Sequence, residues 1–256
     1  MATRLTESLD IPQGKRLRFK PRTRVLEEDF LIAFDFAMAM ASGNNHRSNR
    51  SLGSKRRNPV QVFTDALEGK LGEFAFYRFA LFNKLNVSYP DCRIQSKGNW
   101  DDGDFLCEGL KISIKTSSHA SQLLLLEKDD YSIVDNKAVY RHGNTSDDAV
   151  FFVRLKVEFK NELSKTLSLE ALQEMRDTLY QQYKILTEVT GYLSNTDIKN
   201  IIQHNFVIDK GEKLFGRITM DAPNYYLLIA DLKTPQRFLN ALRKRKLLPL
   251  VTQKSA

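Results

Sequence analysis

Asp104, Ser113 and Lys115 carry the clearest chemical signal in this chain. Ile112 and Ile114 alternate with Lys111, Ser113 and Lys115, so a strand here turns its isoleucines to an apolar side and its polar residues to the other. Glu108-Gly109 supplies a two-residue turn in which glycine takes a positive φ; Cys107 then pairs with Leu110 and, counting outward, Asp104 with Ser113. Lys115 becomes the diagonal neighbour of Asp104. Directly opposed side chains lie about 5 Å apart and diagonal ones about 7 Å, close enough for a carboxylate and an ammonium to serve one phosphate. Such a pair suits metal-assisted hydrolysis of a phosphodiester, in which an acid holds a divalent cation and a lysine orients water or neutralises charge.

A hairpin of this kind alone is usually a wet strand face. The upstream segment adds weight. Asn58 can cap a helix, Pro59 suits its first position, and Val60, Phe63, Ala66 and Leu67 recur at helical spacing. Gly69 and Gly72 each cost about 1 kcal/mol relative to alanine inside a helix, so they mark a break or a close approach of the backbone to another element. Glu73 follows the second glycine.

A helix carrying Gly72-Glu73, then Asp104, then a hydrophobic strand ending in Lys115-Thr116 resembles the PD-(D/E)XK nuclease superfamily, in particular its type II restriction endonucleases. The resemblance is close over about residues 59 to 120. It implies a central mixed β-sheet flanked by helices, an α/β restriction-endonuclease-like core with basic N- and C-terminal elaborations. It also implies Mg²⁺ as cofactor, products with 5′-phosphate and 3′-hydroxyl ends, and a homodimer that cuts both strands of DNA. Asp104 becomes the metal-binding acid, Lys115 the motif lysine and Glu73 the helix glutamate near the site. Pro90-Asp91 spells the motif literally, but it lies far ahead of the hairpin, and Asp104 is preferred.

Ser113 departs from the pattern, because the superfamily usually has Glu or Asp two residues before the lysine. Serine is a poor ligand for Mg²⁺, which wants hard anionic oxygens. A carboxylate must come from elsewhere: Glu73 is the first choice, Glu127 or Asp129 the second. The main-chain carbonyl of Ile114 can add a neutral oxygen.

Charge distribution points to a polyanion. The chain has 256 residues and net charge +8. Residues 1–60 carry net +6 and residues 233–256 net +7, leaving −5 for the middle. Basic ends around an acidic centre fit DNA as partner. Arg47, Arg50, Lys55, Arg56 and Arg57 form a polar basic loop expected to order on DNA, with Asn44, Asn45, Thr116 and Ser117 as further DNA contacts. Thr187–Asn195, Asp221–Asn224 and Tyr225-Tyr226 are weaker alternatives for reading bases.

A 42% hydrophobic content with 27% charged residues is ordinary for one globular domain. The expected division is 1–58 (basic helix and loop), 59–160 (catalytic core) and 161–256 (C-terminal helices and strands). The start has no apolar signal-peptide core and no run of 18 apolar residues exists, so a cytoplasmic protein without membrane partners is expected. Two cysteines, Cys92 and Cys107, make no disulfide framework, and His46, His119, His142 and His204 lack zinc spacing.

Helices are expected from Glu27 to Ser42-Gly43, from Leu167 to Tyr183, from Asn195 to Gln203 and after Thr234-Pro235. Strands are expected over Ala149–Val157 and Tyr225–Leu232. Trp100 is expected to anchor the hairpin start in the core. Three functions stay open: a site-specific restriction endonuclease first, then a repair or transposition endonuclease, then a DNA-binding subunit with a decayed site.

Overall fold

The computed structural model describes residues 2–43, 58–93, 103–141, 144–159 and 168–247. Asn44, Asn45, Arg47, Arg50, Lys55, Arg56, Arg57 and Trp100 lie outside the described residues.

The fold is α/β, built on a mixed five-stranded sheet flanked by helices. Its strands run in the order β1 (Thr23–Arg24), β8 (Ile185–Ser194), β7 (Ala149–Val157), β3 (Leu110–Ser118), β2 (Phe105–Cys107). β3 and β7 are parallel and the other pairs antiparallel. The crossover from β3 to β7 passes through β4 (Leu123–Glu127), β5 (Tyr131–Val134) and β6 (Lys137–Tyr140). β7 is buried from Ala149 to Leu155 because both faces of the sheet are covered, which is why its sequence reads as a continuous apolar run.

One face packs against α1 (Glu27–Ser42), α2 (Pro59–Phe82), α3 (Leu169–Gln182) and α5 (Pro235–Leu247), and Ile112, Ile114, Phe151 and Val153 point into that core. Val150 and Phe152 point the other way. They meet α4 (Asn195–His204), the β5–β6 hairpin and a small sheet of order β4, β12 (Asn224–Leu228), β9 (Val207–Ile208). A further hairpin joins β10 (Lys213–Leu214) to β11 (Ile218–Thr219). The strand expected over Tyr225–Leu232 stops at Leu228 and becomes a 3₁₀ turn over Ile229–Asp231.

α2 begins as expected: the Asn58 side chain accepts from Gln61 N at 2.8 Å, and Pro59 takes the first position. It runs unbroken through both glycines. A Cβ on Gly72 would stand 1.8 Å from Thr116 Oγ1, whereas one on Gly69 would meet nothing within 4 Å. Gly72 is therefore the point where the helix backbone touches β3. α1 is clamped to α2 by the fully buried Asp29, whose carboxylate takes Arg78 Nε at 2.8 Å and Nη2 at 2.7 Å. That contact and the nearby Glu28 raise the Arg78 pKa further. Among the described residues no helix is long and apolar enough to cross a membrane.

Candidate active site

The β2–β3 hairpin has the expected register, with Cys107 opposite Leu110 and Phe105 opposite Ile112. Glu108 and Gly109 both have positive φ, 52° and 75°, the requirement of a two-residue turn that follows the sheet twist. Asp104 sits one residue before β2. Its N–H donates to Ile112 O at 3.0 Å, and its carboxylate accepts the N–H of Ile114. In a paired strand a residue's N–H and C=O face the same edge, so the Ile114 carbonyl shares an edge with Asp104.

Ser113 donates its hydroxyl to Asp147 Oδ2 at 2.8 Å. Asp147 ends the loop that enters β7, and the parallel register Ile112–Ala149 and Ser113–Val150 brings that loop beside the start of β3. Asn195, the first residue of α4, fixes the loop. Its side chain donates to Asp147 O at 3.1 Å, Ser146 Oγ at 2.9 Å and Ala138 O at 2.8 Å, while its N–H donates to Asp148 O. Lys111 N in turn donates to Asp148 Oδ2 at 2.9 Å. Gly103 (φ +89°) leaves the room: a Cβ there would stand 3.2 Å from Asp147 Oδ1.

Lys115 lies two residues along from Ser113, beside Phe152, with Nζ 5.9 Å from the centre of the Tyr140 ring. Ser117 continues the same row opposite Arg154. Thr116, expected to contact DNA, turns to the other face and packs on Gly72. Tyr131 reports the local field. Burial raises its pKa first, and the charges of Asp147, Asp130 and Asp104 raise it further.

Glu73, the first choice for the acid replacing the carboxylate at Ser113, is engaged elsewhere: Lys70 Nζ lies 2.6 Å from its Oε2. Lys70 is buried, packs over the Phe36 ring and also donates to Asp91 O at 2.7 Å, so the pair holds the 89–93 segment against α2. Asp91 of the literal Pro-Asp lines the same cleft as Asp104 and Lys111. Arg93 grips its carboxylate and holds its pKa at about 2. Glu127 lies on β4 opposite Asn224, and Asp129 in the 3₁₀ turn Lys128–Asp130.

The residue missed by sequence reading is Asp147. Its signal was the acidic pair Asp147-Asp148 immediately before a buried strand, which gains meaning only once that strand is known to lie parallel to β3.

No family model matches the chain, and neither the curated proteins nor the solved structures contain a match. Among the described residues no three His, Cys, Asp or Glu side chains stand together as a metal cluster. The site offers two carboxylates, Asp104 and Asp147, with the Ser113 hydroxyl and the Ile114 carbonyl. All are hard oxygen donors of the type Mg²⁺ prefers.

Proposed function

We propose that this chain is a Mg²⁺-dependent DNA endonuclease of the type II restriction kind, working in the cytoplasm as a homodimer. The supporting observation is the Ser113–Asp147 hydrogen bond. It brings a second carboxylate to the strand position where the PD-(D/E)XK pattern has its own, with Asp104 on the neighbouring segment and Lys115 two residues along.

Asp104 and Asp147 would hold the cation, with the Ile114 carbonyl as a neutral ligand. When bound there, the cation would supply Lewis acidity toward the phosphoryl group and the attacking water. Lys115 orients the attacking water and offsets the charge that grows on the phosphoryl oxygens. Attack forms a bond from water oxygen to phosphorus and breaks the bond to the 3′ oxygen; the water's proton passes to solvent and the 3′ oxygen takes one from solvent, leaving 5′-phosphate and 3′-hydroxyl ends. Asn195 positions Asp147 through its backbone and takes no part in the chemistry. Glu73 acts as the partner of Lys70 and supports the cleft wall.

Incubation with phage DNA and Mg²⁺ tests this reading. Discrete fragments from the wild type, lost in Asp147→Asn and retained in Glu73→Gln, are expected. A repair or transposition endonuclease would give smears or cut branched DNA. Equal cutting by wild type and Asp147→Asn removes Asp147 from the site, and DNA left uncut by every preparation overturns the assignment.

A further inference from the structure

The N-terminal segment ahead of α1 carries Arg16, Arg18, Lys20, Arg22 and Arg24 at every second position. All five are exposed, and among the described residues none forms an ion pair with an acid. In a fully extended chain residues at every second position share a side and five of them would span about 27 Å; here Thr23–Arg24 is strand and the intervening Leu17 and Pro21 are exposed as well. A run of like charges is ordinarily a solvated, mobile stretch. This one is fastened to the sheet through its backbone.

Arg154, fully buried on β7, is one of the residues that fasten it. Its Nη1 donates to Leu17 O at 3.1 Å and its Nη2 to Arg18 O at 2.8 Å, and the same guanidinium grips Glu188 Oε2 at 3.0 and 2.6 Å. Gln122 pairs with both the N–H and the C=O of Leu17 at 2.8 and 3.0 Å. Lys20 N donates to Glu188 Oε2, Arg22 N to Thr187 O, and Thr23 pairs with Thr187 in the β1–β8 ladder. A buried cation is costly unless its donors are met, and here six hydrogen bonds ahead of the β1–β8 ladder, together with the Arg154–Glu188 ion pair, hold this strap. Like charges are thus held together against their mutual repulsion, with the side chains left free to turn outward.

We propose that this ladder is a preformed binding site for the phosphate backbone of duplex DNA, independent of base sequence. The strap crosses the sheet at Arg154, the partner of Ser117 in the row Ser113, Lys115, Ser117. The strap therefore runs across β7 and β8, past the end of β3 that lies away from Asp104 and Asp147. The proposal rests on the endonuclease reading for the identity of the polyanion. Positive field at this end also reaches His119, whose pKa is depressed by burial and then by Lys156 and Arg154.

Binding of the full chain to a labelled duplex oligonucleotide, without divalent cation and across a salt series, tests it. Each phosphate contact adds about 0.9 to the slope of log affinity against log salt. The triple variant Arg16→Gln, Arg18→Gln, Lys20→Gln lies outside β1 and should keep the wild-type melting temperature. Its slope should fall by about 2.7, so that raising salt from 50 to 200 mM costs it about 40-fold less affinity than it costs the wild type. The matching variant Arg16→Lys, Arg18→Lys keeps charge and should keep the slope. An unchanged slope in the triple variant overturns the proposal. So does a wild type that ignores DNA and instead binds phosphatidylserine vesicles through the same residues. DNA held with steep salt dependence but never cut would remove the endonuclease reading and leave the ladder; DNA cut with a slope indifferent to the ladder would do the reverse.

Discussion

The two ends of β3 have opposite electrostatic character. At its start, Ser113 meets Asp147 and Ile114 meets Asp104, and the buried Tyr131 phenol feels their negative charge. At its end, Ser117 meets Arg154, the basic strap crosses, and the His119 imidazole feels positive charge. One strand therefore links a place suited to a cation with a place suited to a phosphate chain, at positions about 13 Å apart. In a chain of net charge +8 the signs are thus separated along one row of alternate side chains.

The largest expected effect breaks the acidic end. Asp104→Asn and Asp147→Asn each keep an oxygen that can accept the existing hydrogen bond, so melting temperature should hold. Mg²⁺-dependent cleavage should drop at least about 10³-fold, ~4 kcal/mol in barrier. Binding to DNA without metal should hold or tighten, because a repelling charge is gone. The ladder variants should do the opposite, raising KM more than they lower kcat. A gel cleavage assay beside a binding titration separates the two, and parallel losses in both sets of variants would erase the distinction between the ends.

The next effect tests the basic end as architecture. Arg154→Met should cost about 3–5 kcal/mol in denaturant unfolding, since it leaves Glu188 largely buried without its cation and strips donors from Leu17 and Arg18. Release of the strap should expose Arg16 and Arg18 to trypsin, and limited proteolysis followed by mass spectrometry would find early cuts there. Resistance equal to the wild type would mean that other contacts suffice to hold the segment.

Much of the acidic end was legible in sequence because its signals are local. The Glu108-Gly109 turn sets the register that opposes Phe105 to Ile112 and leaves Asp104 just ahead of β2, and the Asn58-Pro59 start sets α2. Asp147 was not legible. Its place depends on two strands separated by some thirty residues lying parallel, a pairing that no short-range pattern encodes. The strap is not legible for a related reason: its basic residues read as charge, while its backbone is fixed by Gln122, Arg154, Thr187 and Glu188, all far along the chain. Tyr225–Leu232 was only half right because apolar content continues through Ile229 after the strand hydrogen bonds stop. Glu73 drew attention as an acid after a glycine, yet the buried Lys70 three residues earlier on the same helix face takes it.

The smallest effects sharpen how the helix side of β3 holds the polar side in place. Gly72→Ala puts a methyl carbon within 1.8 Å of Thr116 Oγ1 and 2.9 Å of Thr116 Cβ. Overpacking of this kind costs about 1–3 kcal/mol. Because Thr116 neighbours Lys115 on the strand, relief of the clash must shift the strand that carries the lysine, so cleavage should fall along with stability. Gly69→Ala is the control three residues earlier. A methyl there meets nothing within 4 Å, and alanine is a better helix residue than glycine by up to about 1 kcal/mol. It should raise the denaturation midpoint slightly and leave cleavage as it was. Opposite signs from two identical substitutions on one helix would show that α2 sets the height of β3 at Gly72 alone. If both variants lose cleavage alike, the helix influences the site through some route other than that contact.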